Sequence, residues 1–297
     1  MPLKEQWIIL ISTPIYLLVI AAEIILSNIK LRKYYSVKET ILNVYLSVLN
    51  ASIDVLFRVV YVGVLLWFYE HRIIENWTSP LLYWIAIFIA EDFMYYWEHR
   101  FDHQIRLFWA VHVTHHSSEE FNLTTGFRSS VFQPIYRFIY FIPLALLGFS
   151  PLDIIFVYAA TQIYGILVHT QFIDKMPAWF ESVFVSPSHH RVHHASNVKY
   201  LDRNMGMVLI IWDKLFGTFE KETKDEKIVY GLTKPLEEKY HPVKIVTHEW
   251  QSIWNDLKKP VGLSNKLKYL FMPPGWSHDG STKTSDQLRA ELNNKRV

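Results

Sequence analysis

Cysteine is absent from the 297 residues of this chain. Its absence excludes disulfides, thiolate metal sites and cysteine nucleophiles, so any metal ligands must be histidine, aspartate or glutamate. The chain also has no large excess of charge of one sign, because 30 basic and 28 acidic residues give a formal net charge of only +2. A charge so close to neutrality offers no electrostatic basis for binding a polyanion, and we expect no nucleic-acid partner.

Apolar residues, by contrast, make up 51% of the chain and lie in long blocks. The first block, Trp7–Leu26, is about 20 residues long, which is enough for a helix to cross a bilayer. It is longer than the apolar part of a signal peptide and has no small-residue cleavage site, so we expect an uncleaved transmembrane helix. Further spans are predicted at Leu49–Tyr69, Pro80–Trp97, Val131–Leu147 and Leu152–Val168.

Positive charges set the predicted orientation of these spans. The loop after the first span carries four basic residues, Lys30, Arg32, Lys33 and Lys38, and is therefore expected on the cytoplasmic side. Alternating spans then bring residues 99–116, residue 169 and everything after about residue 172 to the same face. The sequence thus predicts an all-α integral membrane protein with about five transmembrane helices and a cytoplasmic helical domain. The membrane is left open between a bacterial inner membrane and the endoplasmic reticulum.

The 14 histidines of the chain are unevenly distributed. HRFDH places two histidines at positions i and i+4, whereas HVTHH and HRVHH each place three at i, i+3 and i+4. These spacings put the side chains on one face of a helix. One more histidine stands alone in LVHTQF, at the predicted cytoplasmic end of the fifth span. The nine are His99, His103, His112, His115, His116, His169, His190, His193 and His194.

Nine imidazoles at one membrane face can enclose two metal ions, with four or five nitrogens each. Imidazole suits Zn, Fe, Cu and Ni alike, so the ligand type leaves the metal open. A single HxxHH motif is compatible with a solvated helix face, but the four pieces together predict a dinuclear metal site. His189 points about 100° away from His190 on a helix, and we expect it to support the ligands rather than bind metal.

Carboxylates close to these clusters are candidates for orienting the imidazoles by accepting their second N–H. Asp92 returns to the face of His99 after seven residues, and Asp102, Asp202 and Asp213 lie near the clusters along the chain. For each of these acids, a surface ion pair or a helix cap is the alternative.

HxxxH followed by two HxxHH motifs in a membrane protein resembles the fatty acid hydroxylase/sterol desaturase superfamily. The resemblance extends from about Glu91 to Trp276. Within this range it is strengthened by the segments PSHHRVHHASNVKYLDRNMG and LIIWDKLFGTFE. It implies a membrane-bound non-haem diiron monooxygenase that hydroxylates a lipid C–H bond with O2. The nine histidines are then the ligands of two iron ions, with zinc as a possible occupant in purified protein.

The segments THHSSEEFNLTTGFRSS, VYGLTKPL and PPGW are similar to superfamily members that cleave ether lipids. This resemblance implies an alkylglycerol-type substrate, split into a fatty aldehyde and a glycerol moiety, and tetrahydrobiopterin as electron donor. Gln104 departs from the pattern, because an acidic residue follows the second histidine of HxxxH in those members. The electron donor is therefore open between tetrahydrobiopterin and another reductant.

Several alternatives remain at this stage. Within the superfamily they are a sterol, fatty acid or carotenoid hydroxylase or desaturase. Outside it they are a membrane metal transporter, which needs ligands along a path open to both sides, and a structural zinc protein, which typically has four ligands.

The predicted domain organisation has three parts. Residues 1–78 are the N-terminal transmembrane helices, residues 79–221 the hydroxylase catalytic domain with further spans and the histidine clusters, and residues 222–297 the cytoplasmic C-terminal region. The last stretch, Ser277–Val297, is polar and is expected to be a mobile tail.

Overall fold

The computed structural model describes residues 4–294, and only the outermost ends of the predicted first and third parts, residues 1–3 and 295–297, lie outside the described residues. Within this range the chain is helical, and its β-structure is limited to two isolated bridges, Phe184–Leu209 and Ala195–Tyr230. The α-helices are α1 (Lys4–Ile29), α2 (Val37–Glu70), α3 (Pro80–Gln104), α4 (Arg106–His116), α5 (Ile142–Leu146), α6 (Pro151–Leu167), α7 (Ala178–Val183), α8 (Pro187–His193), α9 (Ile211–Phe216), α10 (Pro242–Leu257), α11 (Leu263–Phe271) and α12 (Ser285–Asn294). Short 3-10 turns occur at Thr125–Phe127, Gln133–Ile135, Arg137–Phe141 and Val198–Tyr200.

Among the described residues, α2 is the one helix that is both long and apolar enough to cross a bilayer. It contains the predicted span Leu49–Tyr69 and begins where the Ser36 side chain accepts a hydrogen bond from the Glu39 amide. Large apolar side chains such as Leu56 and Val59 are 74% and 83% exposed, as expected of a surface that faces lipid. Shorter apolar helices lie at Pro14–Ile29 and Pro151–Leu167.

The predicted continuous helix over Val131–Leu147 is wrong. The chain there forms two short 3-10 turns before α5. Pro134 and Pro143 lack the backbone N–H that a continuous helix requires. Gln133 and Arg137 in addition turn their side chains inward to buried acids, so this segment is not uniformly apolar where it packs.

The bundle core lies between α2, α3, α5 and α6, where Leu65, Ile87, Leu144, Phe149 and Ile154 are fully buried. The helices α3 and α4 are separated only by Ile105, whose backbone is extended, with φ −119° and ψ 114°. This single extended residue turns the chain and lets the last two turns of α3 face α4. The juxtaposition positions the histidines of both helices.

The C-terminal region packs on this core. The buried residues Ile245 and Ile253 anchor α10, which contacts α4. The predicted mobile tail is wrong for Ser285–Asn294, which form α12 and pack against the turn at Val198–Tyr200. Arg289 of α12 donates a hydrogen bond to the Leu201 carbonyl, which holds this helix next to the loop that follows α8.

Candidate metal centre

The predicted histidines come from three helices and one loop. Two lie on the last turns of α3, three at the end of α4, and one in the turn after α6. The other three belong to α8 and its C-cap. The start of α8 is fixed by a capping box, in which the Ser186 side chain accepts from the His189 amide and the Ser186 amide donates to His189 Nδ1. Pro187 at the first helical position reinforces this start.

The structure brings all nine together in two groups. The five-histidine group has one ring nitrogen from each residue within 4.8 Å of all the others. It consists of His99, His103, His112, His116 and His193. The four-histidine group meets the same distance criterion and consists of His115, His169, His190 and His194.

The two groups adjoin each other. The His116 and His194 rings, one from each group, are stacked with centroids 4.5 Å apart. His115 and His194 lie 4.6 Å apart by the same measure, within the four-histidine group. The nine rings therefore form one continuous assembly rather than two separate sites.

In several rings, the nitrogen that points away from the cluster makes a hydrogen bond that determines which ring nitrogen carries the proton. Nδ1 donates to a backbone carbonyl in His99 (Met205, 2.8 Å), His169 (Gly165, 2.7 Å) and His193 (Arg203, 3.0 Å). A carbonyl oxygen can only accept, so each of these Nδ1 atoms carries the hydrogen. The Nε2 atom of each neutral ring is then left with a lone pair that points into the assembly.

These inward nitrogens converge at short range. His99 Nε2 lies 3.1 Å from His112 Nε2, and His169 Nε2 lies 2.9 Å from His190 Nε2. Two nitrogens bound at about 2.1 Å to one ion lie about 3 Å apart when they subtend a right angle, so these separations fit shared coordination. His103 Nε2 and His193 Nε2 are buried and have no hydrogen-bond partner among the described residues. The donor set thus fits a cation.

Burial favours the neutral form of eight of these imidazoles. Eight of the nine residues are buried and His115 is half-buried. Desolvation is the main cause that lowers the pKa of His115 to about 4 and the pKa values of His99 and His116 well below the usual range. The same cause lowers the pKa of His112, His169, His190, His193 and His194. Neutral imidazole is the form that binds metal.

Asp202 contacts the five-histidine group directly. Its Oδ1 accepts from His103 Nδ1 at 3.1 Å. Burial is the largest single influence on the pKa of Asp202 and raises it, but the hydrogen bond and charge of His103, a hydrogen bond from Ser285 and the charge of Arg289 together lower the pKa. The residue has a positive φ of 52°, which is unusual for a residue other than glycine and helps direct the side chain at the ring.

A second polar network lies behind His112. The Ser130 hydroxyl is 3.1 Å from His112 Nδ1, and Asp102 Oδ2 lies farther away, at 3.7 Å. Asp102 accepts from Tyr136 at 2.7 Å and from Gln133 at 2.9 Å. Sequence reasoning missed Ser130, Gln133 and Tyr136. The available signal was the presence of Gln133 and Tyr136 in an otherwise apolar predicted span, whereas Ser130 lies just before it.

Gln133 also donates to Glu98 at 3.1 Å, so one amide bridges two buried carboxyl groups. Burial raises the pKa of Glu98 to about 8, and burial together with the nearby Glu98 raises that of Asp102 well above its usual range. This pair therefore holds a proton at neutral pH.

The remaining predicted acids act on the loop between α8 and α9. Asp92 accepts from the Val208 and Leu209 amides, and Asp213 accepts from the Met205 and Gly206 amides. They hold the loop whose Met205 carbonyl accepts from His99. Two further polar side chains brace the neighbouring backbone: Asn204 donates to the His189 carbonyl, and His189 itself caps α8.

The fold and the site together define a class: a helical protein, with one candidate membrane span among its described residues, that presents two adjoining groups of buried imidazoles. Residues 84–218 match the fatty acid hydroxylase family, and this segment is a domain of that family. This matched segment contains all nine clustered histidines.

Curated relatives extend the similarity beyond that segment. The chain is 37% identical to the alkylglycerol monooxygenase of Homo sapiens over 269 residues, which cover 89% of this chain and 59% of the relative. It is 39% identical to that of Xenopus tropicalis (75% of this chain, 49% of the relative) and 33% identical to that of Danio rerio (90% and 59%). The chain thus spans roughly half to three fifths of the length of these relatives. No solved structure matches the chain significantly.

Proposed function

We propose that this chain is a membrane-bound, metal-dependent monooxygenase that hydroxylates a lipid C–H bond, with an alkylglycerol-type ether lipid as substrate. The observation that carries the proposal is the convergence of nine imidazoles in two adjoining groups. The similarity to alkylglycerol monooxygenases over most of the chain supports the choice of substrate.

The two groups would each hold one metal ion, the first through five imidazoles and the second through four. Iron is the proposed metal, since an alkyl C–H bond has no proton that a general base can usefully remove. A bound pair of iron ions would supply the activation of O2 that such a bond requires. Zinc is an expected occupant of purified protein, because imidazole binds it readily.

The protein's own groups prepare this site. The Met205, Gly165 and Arg203 carbonyls fix the rings of His99, His169 and His193 with Nε2 pointing inward. Burial excludes water from the assembly, which keeps the rings neutral and protects reactive species from side reactions. The carboxyl pair of Glu98 and Asp102 holds a proton behind the five-histidine group.

The proposed reaction inserts one oxygen atom of O2 into the C–H bond of the carbon that bears the ether oxygen. The second oxygen atom leaves as water, which consumes two electrons and two protons. The resulting hemiacetal collapses into a fatty aldehyde and a glycerol moiety. The electron donor is tetrahydrobiopterin or another reductant. Gln104 bears on this choice, because its amide oxygen accepts from Arg100 at 3.3 Å and places no carboxylate at this position.

We further propose a multi-pass topology with the metal centre on the cytoplasmic side, in a bacterial inner membrane or the endoplasmic reticulum. The exposed apolar surface of α2 and the basic loop at residues 30–38 support it. The proposed parts are residues 1–78, 79–221 and 222–297, as defined from the sequence. In this arrangement a lipid tail reaches the metal centre from the bilayer without crossing water.

Metal analysis and product analysis of the full chain test the proposal. Protein purified without chelators and loaded with Fe(II) should contain about two metal ions per chain, as the two ligand groups require. Incubation with 1-O-alkylglycerol, O2 and tetrahydrobiopterin or a chemical reductant should release a fatty aldehyde. Hydroxylation of a sterol or fatty acid in place of the ether lipid would favour the alternatives within the family.

The same protein preparation also distinguishes the proposed monooxygenase from a metal transporter and from a structural metal protein. Metal uptake into proteoliposomes without oxygen consumption would favour a transporter. An iron-loaded chain that neither consumes O2 nor changes oxidation state would favour a structural metal site.

A further inference from the structure

Two short helices that the proposed reaction does not use, α7 and α9, form a paired unit beside the metal centre. The Ile210 amide donates to the Val183 carbonyl at 2.9 Å, and the Val185 amide donates to the Val208 carbonyl at 2.8 Å. Lys214 Nζ donates to the Ser182 carbonyl at 2.7 Å and so satisfies the C-terminal end of α7. The two helices therefore behave as one surface element.

The outer face of this unit carries what we call the apolar patch, which consists of Trp179, Val183, Ile211 and Leu215. The i, i+4 spacing within each helix places each pair on one face. Trp179 and Leu215 are each 70% exposed. Large apolar side chains exposed side by side mark a surface that is covered in the working protein.

The inner face of α9 shows where this patch lies relative to the bundle. Trp212 packs on Phe93, with ring centroids 5.0 Å apart, and Phe216 packs on Trp97 at 5.1 Å. Trp212 Nε1 also donates to Asp92 Oδ2 at 2.9 Å. These contacts attach α9 to the last turns of the predicted span Pro80–Trp97. This is the level at which a transmembrane helix leaves the hydrocarbon and at which tryptophans concentrate.

Charges of both signs border the patch: the acids Asp174 and Glu181, and two lysines of the sign that anionic lipid headgroups attract. Lys175 lies just before α7 and Lys214 lies within α9, and both are exposed. Lys175 can lay its methylene stem along the apolar surface and extend its ammonium group to a phosphate, whereas the ammonium group of Lys214 is held by the Ser182 carbonyl. A basic residue near an anionic leaflet is attracted to the surface of that leaflet.

We propose that the apolar patch inserts into the headgroup–acyl boundary of an anionic leaflet, and that α7 and α9 form an interfacial element beside the transmembrane helices. The inference rests on the proposed membrane topology and deepens it. Only Phe184 and Val185 separate α7 from Ser186, which starts the segment that leads to His190. The patch thereby holds this histidine segment against the bilayer surface, where a lipid substrate enters.

The absence of cysteine allows a direct test with single cysteines. Trp179→Cys and Leu215→Cys are labelled with an environment-sensitive nitrobenzoxadiazole fluorophore in the full chain. The labelled proteins are reconstituted into phosphatidylcholine vesicles containing phosphatidylglycerol. Leu56→Cys, on the lipid-facing side of α2, is the membrane control, and Ser281→Cys, in an exposed polar loop, is the aqueous control.

Lipids brominated near the headgroup end should quench both patch labels at least about twofold more than the Ser281 label, as expected for a shallow interfacial position. Lipids brominated near the methyl end should quench the patch labels less than the Leu56 label. Quenching by aqueous iodide alone would overturn the inference, and protection from both bromine and iodide would overturn it in favour of a protein partner or a second copy.

The controls separate the two proposals. Bromine quenching at Leu56 without quenching at the patch overturns the interfacial element and leaves the proposed function standing. A Leu56 label that lipid bromines do not quench overturns the membrane topology on which both rest. Quenching at the patch in a protein that shows no oxygenase activity removes the proposed function alone.

Discussion

Asp202 illustrates how a single side chain can control a buried imidazole. Its Oδ1 accepts the Nδ1 hydrogen of His103, and the opposite ring nitrogen, Nε2, is a buried atom with no hydrogen-bond partner among the described residues. A carboxylate in this position fixes the ring orientation and makes the inward nitrogen more basic. The backbone of Asp202 has a positive φ. Substitutions must therefore be chosen so that the effect of backbone strain can be distinguished from the effect of losing the hydrogen bond.

We expect Asp202→Gly to weaken metal binding about 10- to 100-fold, because it removes the carboxylate while glycine tolerates the positive φ. Asp202→Asn should weaken metal binding less, since its amide oxygen still accepts from His103 and asparagine also tolerates this conformation. Iron retained by the full chain against increasing concentrations of a competing chelator measures the effect. Equal retention in the glycine variant and the unsubstituted protein would contradict this role.

Histidine spacing was sufficient to single out eight of the nine positions that the structure brings together, because i, i+3 and i+4 neighbours share a helix face wherever the helix lies. The ninth, His169, was singled out by its place at the end of a predicted span. It could not reveal Ser130 or Gln133, which approach His112 and Asp102 only through the folded chain. The role of Asp92 was also beyond sequence reasoning. Its seven-residue spacing to His99 suggested a contact with the ring, but the side chain instead binds the Val208 and Leu209 amides.

At the scale of elements, the loop from Asp202 to Leu209 links the carboxylates to the imidazoles. A Cβ atom at Gly206 would lie 2.7 Å from the Leu209 carbonyl oxygen and 3.0 Å from Asp213 Oδ2. The backbone oxygen cannot swing away as a flexible side chain can. The adjacent Met205 carbonyl accepts from His99, so displacement of this loop reaches the five-histidine group.

Gly206→Ala is therefore expected to destabilise the protein by about 1–3 kcal/mol, as overpacking of a tight site typically does. It should also reduce iron retention. The matched control is Gly262→Ala, where a Cβ atom would meet no atom within 4 Å and the backbone φ of −62° suits alanine. Apparent Tm and iron content of both variants in detergent are the measurements. A Gly206→Ala protein indistinguishable from the Gly262→Ala protein would refute the argument.

Helices with a continuous apolar pattern were predictable from the sequence. Segments that are interrupted by proline or composed of polar residues were not. The sequence placed both ends of α6 and the C-terminal end of α2 within one residue because their apolar character is continuous, but α2 begins at Val37, well before the predicted Leu49. It failed at Val131–Leu147, where apolar composition suggested a span but Pro134 and Pro143 break the helix. It also failed at α12, whose residues are polar and whose helix is held by contacts such as that of Arg289 with the Leu201 carbonyl.

At the scale of the whole molecule, the metal ions are expected to act as a structural link as well as a reaction centre. The two imidazole groups join α3, α4, α8 and the turn after α6, so a bound cation would connect four separate parts of the chain. Without a cation, this link is reduced to contacts between rings, such as the hydrogen bond of 2.9 Å between His190 Nε2 and His169 Nε2.

Restoring iron to chelator-treated protein should therefore raise the apparent Tm. A ligand that binds only the folded state stabilises by about 2.7 kcal/mol when its free concentration is 100 times the Kd. Differential scanning fluorimetry across an Fe(II) titration under anaerobic conditions measures the shift. His116→Ala, which removes one imidazole of the five-histidine group, should reduce the shift. A Tm that does not depend on iron in the unsubstituted protein would contradict metal binding by these residues.

The topology can also be tested at this scale, because the two ends of the bundle are distinguishable. The turn at Gly148 lies against the loop that follows α2: the Ile73 amide donates to the Leu146 carbonyl at 2.7 Å, and a Cβ atom at Gly148 would lie 2.2 Å from the Ile74 carbonyl oxygen. The segment from residue 131 to residue 168 therefore runs to the end of the bundle opposite the histidines and returns, although its first half is not a continuous helix.

In the proposed multi-pass topology, the loop at residues 71–79 and the metal centre lie on opposite sides of the membrane. Asn76→Cys and Lys224→Cys, both at exposed positions, provide the test in a chain without other cysteines. A membrane-impermeant maleimide should label Asn76→Cys from the outer side of sealed vesicles. It should label Lys224→Cys only from the cytoplasmic side or after detergent is added. Labelling of both cysteines from one side would mean that α3 does not separate them across the bilayer, and the multi-pass arrangement would have to be abandoned.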